Sequence, residues 1–320
     1  MKYAYYPGCS LEKNANAYHK SSLAVAGRMG MELEEVNDWN CCGATEYMSI
    51  SILPAYSLIA RNLALASGQD VDDGKLVAPC SACFLNLSKA DATMAEAPDF
   101  AALVNKSLAA GGLHYEPGSV KVRHLLQVIV DDIGYDRVEQ LVQRPLYSLR
   151  VAPYYGCLIV RPGYGGEWDD PEYPMSLDHL MRRLGATVVD FPLKAHCCGG
   201  HMTQISEPVA LDMCRRLLKN AHDYGADVIA TICPMCQLNL DAYQEAVNRH
   251  FGTNFHIPIV YFTQLMGLAF GQDPRTLGFG SEFISAAPAL AKIGAEPPEE
   301  PRKRRAPKEG LPMPSMPEEE

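Results

Sequence analysis

Ten of the eleven cysteines in this 320-residue chain fall into one pattern that occurs twice. The first copy runs Cys9, then Cys41-Cys42-Gly43, then Cys80-Ser81-Ala82-Cys83. The second runs Cys157, then Cys197-Cys198-Gly199, then Cys233-Pro234-Met235-Cys236. The gap from single cysteine to pair is 31 residues in the first copy and 39 in the second; from pair to CxxC it is 37 and 34. A five-cysteine set repeated at an offset of about 150 residues marks a duplicated cofactor site. Only Cys214 stands outside it, on a helical stretch where a free cysteine packs as a small buried hydrophobe.

A CxxC brings two thiolates within reach of one metal centre, and soft thiolate sets suit zinc or an iron–sulfur cluster. Structural zinc takes four ligands and a cubane cluster takes four cysteines, so a fifth is surplus to both. The surplus thiol is either free for redox work or a bridge between irons of a cluster that is not a cube. Adjacent cysteines chelate a single atom poorly, which favours ligation of different irons. Gly43, and Gly199 with Gly200, let the backbone come close and aim amide N–H groups at sulfur. Iron–sulfur is therefore preferred over zinc.

The elements that must position these thiols also repeat. Strand-like runs lead into Cys9 (Tyr3 to Gly8) and Cys157 (Leu149 to Gly156). Helical stretches follow, His19 to Met29 and Ser176 to Leu184, each ending at a glycine, then strands Met31 to Val36 and Ala186 to Phe191. Cys-Cys-Gly sits on the next loop. Helices from about Ile52 to Ala66 and Pro208 to Tyr224 precede strands Lys75 to Ala78 and Asp227 to Thr231, which deliver the CxxC. Helix returns at Phe84 to Ala90 and Gln237 to Arg249. The order βαβαβα, written twice, predicts an α/β fold of two small parallel-sheet domains from an internal duplication. Ligands of such sheets gather outside the carboxyl ends of the strands, where every cysteine cluster falls. The expected division is 1–145 for the first domain, 146–285 for the second and 286–320 for a disordered tail rich in proline and charge. Residues His114 to Arg144 read as a link with one helix, Val122 to Ile133.

A net charge of -10 leaves no basic stripe for nucleic acid. The opening residues lack the pattern of a signal peptide, and Ile257 to Phe270 is too short and interrupted to span a bilayer. The expectation is a cytoplasmic protein with no direct membrane insertion. Its thiols are then reduced, so they ligate metal and do not form a disulfide scaffold.

The arrangement Cys–x31–Cys-Cys-Gly–x37–Cys-x-x-Cys, repeated, resembles the CCG domain of the heterodisulfide reductase B-subunit family over residues 1 to about 270, with all ten motif cysteines kept. The resemblance implies two non-cubane [4Fe–4S] clusters. Cys9, Cys41, Cys42, Cys80 and Cys83 would hold one; Cys157, Cys197, Cys198, Cys233 and Cys236 would hold the other. It further implies that the clusters face each other across a pseudo-twofold interface and split a disulfide by two electrons. The electrons would arrive from a ferredoxin-like C subunit and ultimately a flavin-bearing A subunit. Coenzyme M–coenzyme B disulfide, another thiol or disulfide, or a different sulfur compound would be the substrate. A rival reading is a CCG-domain electron-transfer subunit of a quinone-linked or succinate dehydrogenase-type complex. A third is a zinc-stabilised scaffold without catalysis.

The second copy carries eight extra residues in its first gap, within a segment that includes Arg161, Trp168 and Asp170. Lying just after Cys157, it either lines the substrate cleft or forms a surface loop. Its glycines do not match the dinucleotide fingerprint, because position 168 is Trp. His196 and His201 bracket the second Cys-Cys-Gly-Gly and are candidate proton donors, with donation to cluster sulfur as the alternative. His19 lies near the first cysteine in sequence. Tyr5, Tyr6, Tyr154 and Tyr155 are expected to shield the sites from water.

Overall fold

The computed structural model describes residues 1–44, 47–165 and 168–294. The first half runs β1 (Lys2–Tyr5), α1 (Gly8–Glu12), α2 (Asn16–Met29), β2 (Glu32–Glu35), α3 (Tyr47–Ile50), α4 (Ile52–Ser67), β3 (Lys75–Ala78), α5 (Ser81–Glu96), α6 (Pro98–Leu108) and β4 (Lys121–His124). A connection through α7 (Leu125–Gln127), a π-helical turn (Val128–Ile133) and α8 (Tyr135–Gln140) leads to the second half. That half runs β5 (Arg150–Tyr154), α9 (Ser176–Arg183), β6 (Thr187–Val188), α10 (Glu207–Asp223), β7 (Val228–Thr231), α11 (Pro234–Ala242), α12 (Gln244–Phe251), β8 (Ile259–Tyr261) and α13 (Phe262–Ala269).

Each half builds a four-stranded parallel sheet, in the orders β2-β1-β3-β4 and β6-β5-β7-β8. The duplicated α/β architecture is therefore present. Burial sorts the strands as helix-covered parallel sheets require. The inner strands β1, β3, β5 and β7 are buried almost throughout, whereas the edge strand β2 reads Glu-Leu-Glu-Glu and is partly exposed. The edge strand β6 is shorter for a reason legible in β5. Val151 pairs toward β6, so residue 153 faces the same side, and it is Pro153, which has no N–H to offer.

Two expectations are corrected. Each half has four strands, not three, because β4 and β8 close the sheets. β4 lies inside the segment read as a helical link, and its Lys-Val-Arg-His passes straight into the apolar helical run after it. In addition, α14 (Ala287–Leu290) forms with Ala286 and Ala289 buried, so the packed chain continues past residue 286. The remainder of the expected tail, residues 295–320, lies outside the described residues, as do residues 166 and 167 of the extra segment.

The halves are tied together by buried polar contacts. The Tyr18 hydroxyl reaches Pro79 O and Ile232 O, each at 3.1 Å, the residues that immediately precede Cys80 and Cys233. Its ring stacks on Tyr261 with centroids 4.3 Å apart. Ser21 and Thr263 share a hydroxyl hydrogen bond of 2.7 Å. His124 and Tyr261 end the equivalent strands β4 and β8, and each carries a capping box. Burial lowers the His124 pKa to about 4, and its Nδ1 accepts from Leu126 N–H at 3.1 Å, so the ring is neutral with its hydrogen on Nε2.

Removing the Tyr18 hydroxyl leaves two buried carbonyls without that donor. Tyr18→Phe is expected to cost about 1–3 kcal/mol in stability. Denaturant unfolding followed by circular dichroism checks this, and an unchanged midpoint would show the bridge to be energetically idle.

Candidate functional site

Every cysteine of the two sets lies at or beyond the carboxyl end of a strand. β1 and β5 feed Gly8-Cys9 and Gly156-Cys157; β3 and β7 feed the two CxxC motifs, whose second cysteines sit in the first turns of α5 and α11. The three chain segments of each set converge. In the first, Cys9 and Cys41 sulfurs are 3.5 Å apart and Cys42 and Cys83 sulfurs 3.4 Å apart. In the second, Cys198 and Cys236 sulfurs are 3.5 Å apart, and Cys157 contacts Cys197. The sets also approach each other: Cys80 and Cys233, the leading cysteines of the CxxC motifs, lie near enough across the interface between halves for each thiol to shift the other's pKa. Cys214 stays apart as a core residue, but its thiol donates to Cys198 O at 3.3 Å.

The backbone makes room for these sulfurs. Gly8 and Gly156 adopt φ of +73° and +71°, and a Cβ on either would lie 2.9 Å from Cys83 Sγ or 3.1 Å from Cys236 Sγ. Only glycine meets both demands at once. Gly199 N–H points at Cys197 Sγ at 3.4 Å, and Gly43 N–H likewise at Cys41, as the glycines after each pair predict.

Paired side chains fix the Cys-Cys loops. Tyr6 and Tyr154 hydroxyls each donate at 2.7 Å to the carbonyl before the pair, on Asn40 and His196. Burial, with neighbouring thiols adding to it, holds both phenols far above their ordinary range, so they stay neutral donors. Asn86 and Asn239 donate to the carbonyls of Cys42 and Cys198 at 3.1 and 2.7 Å, and Asn86 also to Ala44 O. Sequence reasoning missed these asparagines, although a signal was present: both copies continue Cys-x-Leu-Asn-Leu after the CxxC.

Electrostatics within each set follow from the thiol contacts. Cys41 is pulled far below the ordinary thiol range by hydrogen bonds from Cys42 and Cys9, and Cys197 by those from Cys157 and Cys198. Cys83 and Cys236 are pushed well above it, first by their close sulfur contacts with Cys42 and Cys198 and then by burial. The first set thus has one thiol pulled down, Cys41, and the second has two, Cys197 and Cys233, the latter through its contacts with Cys236 and Cys80.

The sites differ in exposure. Cys9 and Cys41 are exposed at a cleft of about 500 Å³ rimmed by Glu12, Glu35 and Asp38, with Trp39 in its wall. The second set bounds a small, largely apolar cavity of about 30 Å³, with Tyr155, Leu158, His201 and, from the first half, Ser81 in its wall. His196 lies on another face of Cys197, in a separate pocket with Met213 and Arg216. His19 is turned to the Tyr5 hydroxyl, 3.2 Å from Nδ1. Of the extra segment, Leu158 reaches the second cavity. Arg161 pairs with Glu172 at 3.5 Å, and Trp168 Nε1 donates to Asp131 at 3.3 Å; both line a different, open cleft.

One feature of the second half has no equivalent in the first. Lys194 is wholly buried, with Nζ 2.9 Å from Asp178 and 3.8 Å over the Tyr173 ring. Asp178 also accepts the Tyr155 hydroxyl at 2.9 Å, while Lys194 O accepts the N–H groups of Tyr155 and Gly156. By the cysteine and helix-end registers, the first half has Asp38 and Leu23 in place of Lys194 and Asp178.

The donor set fits a cofactor with several metal atoms. Its sulfurs lie within contact of one another, and sets of soft thiolates suit an iron–sulfur group. The glycine cradles and the amide groups aimed at sulfur suit the same kind of group.

Fold and site together define a duplicated cysteine-rich α/β protein with one thiol set per sheet. The chain belongs to the cysteine-rich domain family CCG, which it matches twice, over residues 3–88 and 151–241. It is 33% identical over 286 residues to the 8-methylmenaquinol:fumarate reductase membrane anchor subunit of Wolinella succinogenes, covering 89% of this chain and 98% of that protein. It is 28% identical over 295 residues to the B subunit of the ferredoxin/F420H2-dependent CoB-CoM heterodisulfide reductase of Methanosarcina acetivorans, covering 91% and 97%. Among solved structures, a hypothetical protein from Helicobacter pylori shares the fold, with a TM-score of 0.71 and 17% identity. That match covers 89% of this chain, which spans only 52% of the other. No helix among the described residues is long and apolar enough to cross a membrane.

Proposed function

We propose that this chain is the iron–sulfur subunit of a heterodisulfide-reductase-like complex, in which two five-cysteine sets hold two non-cubane [4Fe–4S] clusters and act on a disulfide or thiol. Residues 1–145 and the packed chain from residue 146 through α14 would be its two units, working in the cytoplasm with a ferredoxin-like and a flavin-bearing subunit. The observation that carries the reading is the convergence of thiols from separate chain segments in both halves, with Cys9–Cys41 at 3.5 Å, Cys42–Cys83 at 3.4 Å and Cys198–Cys236 at 3.5 Å. When bound, such a group supplies one-electron steps, and two sites match the two electrons of a sulfur–sulfur bond. The overall change, RSSR′ plus two electrons and two protons giving RSH and R′SH, also needs a proton source. His201, in the wall of the second cavity, is the better placed of the two histidines; His196 faces elsewhere. The largely apolar wall limits water around sulfur.

The 33% identity to a fumarate reductase anchor subunit favours a second reading, an electron-transfer subunit of a quinone-linked complex. One experiment addresses both. Anaerobically purified protein is expected to contain about eight irons and as much acid-labile sulfide per chain. An EPR signal that appears on oxidation only with a thiol present supports the disulfide reading; oxidation by a menaquinone analogue without any thiol response supports the other. Zinc without sulfide would leave a scaffold and end both. Loading is also expected to release protons, because the thiols of Cys83 and Cys236 are held above their ordinary range. Reconstitution should therefore improve as pH rises from neutral to mildly alkaline, measured as iron retained after desalting.

A further inference from the structure

The two CxxC motifs differ at one position that faces a site. Ser81 follows Cys80 in the first half; the matching residue after Cys233 is Pro234. Ser81 is 1% exposed, and its hydroxyl has no hydrogen-bond partner. It lines the cavity bounded by Cys157, Cys197, Cys198, Cys233 and Cys236 of the second half. A buried hydroxyl left unpaired is costly, so its position implies an acceptor that belongs in that cavity. The cavity wall is largely apolar, and the chemistry its cysteines bring there is sulfur. Pro234 carries no hydroxyl and no N–H, so the second half offers nothing equivalent in return.

We propose that Ser81 is a cross-interface hydrogen-bond donor to a sulfur of the group held by the second cysteine set, and that it makes the two sites unequal in reduction potential. The inference rests on the iron–sulfur reading above. A hydrogen bond to sulfur stabilises the more negative, reduced state and raises the potential. The second site is then the easier to reduce, and an electron entering at the exposed Cys9–Cys41 side runs downhill across the interface. Neither sequence repeat nor sheet symmetry requires this polarity; it arises from one serine placed opposite the neighbour's thiols.

The test is an EPR-monitored redox titration of the full chain, purified anaerobically, as wild type, Ser81→Ala and Ser81→Thr. Ser81→Ala is expected to keep its iron and sulfide. At a fixed potential near the midpoint, the reduced-to-oxidised ratio of one site should fall several-fold while the other stays put; a tenfold fall corresponds to about 59 mV for one electron. Ser81→Thr keeps the hydroxyl and should titrate like wild type. Electron–nuclear double resonance should also show a proton coupling, exchangeable in deuterated water, that disappears in Ser81→Ala alone. If neither site moves, if both move equally, or if Ser81→Thr shifts as far as Ser81→Ala, the inference is overturned. Absence of iron from the wild-type protein would instead sink the iron–sulfur reading beneath it.

Discussion

Replacing Lys194 with methionine is expected to lower stability by about 3–5 kcal/mol, the cost of leaving one member of a buried ion pair alone. The pair is among the most enclosed polar groups in the chain, with side chains 1% and 5% exposed. Burial already raises the Asp178 carboxyl pKa, outweighing the Lys194 ammonium beside it. Without that ammonium, the carboxyl must take up a proton or remain an uncompensated charge. The sign of the pH dependence follows. A carboxyl whose folded pKa lies above its unfolded value favours the folded state below the unfolded value and loses that contribution as pH rises through the folded one. The variant widens this gap, so its deficit should be largest at neutral pH and shrink on acidification. Urea unfolding of wild type and Lys194→Met at both conditions measures it. Lys194→Met combined with Asp178→Asn should recover much of the loss, since no buried charge is then left alone. An unchanged midpoint in the single variant would mean that water reaches the pair.

Gly8→Val is expected to remove the metal from one site and spare the other. The left-handed φ is unfavourable for a β-branched side chain, and the new Cβ would lie 2.9 Å from Cys83 Sγ. Iron should fall from about eight to about four per chain, with the surviving EPR signal belonging to the second set. Gly156→Val should do the reverse, because its Cβ meets Cys236 Sγ at 3.1 Å. Two variants that each lose half the iron, and lose different halves of the spectrum, would establish the cysteine sets as independent sites. Full iron in both would dismiss Cys83 and Cys236 as ligands.

Much of this molecule is legible in its cysteines, because ligands that must converge impose regular spacing, and the strands that carry them repeat with it. Duplication, parallel sheets and placement of all three clusters at strand ends follow from that one pattern. The fourth strands were hidden for a local reason. Lys121–His124 and Ile259–Tyr261 are short and run directly into apolar helices, so neither alternation nor a turn marks their boundary. Lys194 and Ser81 were hidden for a different reason. Nothing near them in sequence reveals that Lys194 folds under Asp178, or that Ser81 crosses to the other half's thiols. Asymmetry between duplicated sites is a tertiary property, whereas their likeness is written in the repeat.

The pairing of α2 with α13 has a consequence in time. The N-terminal helix that carries Tyr18 and Ser21 finds Tyr261 and Thr263 near the far end of the chain. Gln272 then donates to Ala24 O, and Gly278 packs against Ala17 so closely that a Cβ there would lie 2.6 Å from its Cα. A ribosome makes residue 18 long before residue 261, at about 5–20 residues per second. Once Cys83 has emerged, the first five thiols are outside the ribosome for the rest of that interval while α2 lacks its closing partner. The earliest-made site is therefore the last to be sealed, which leaves an interval during synthesis for a cofactor to enter it.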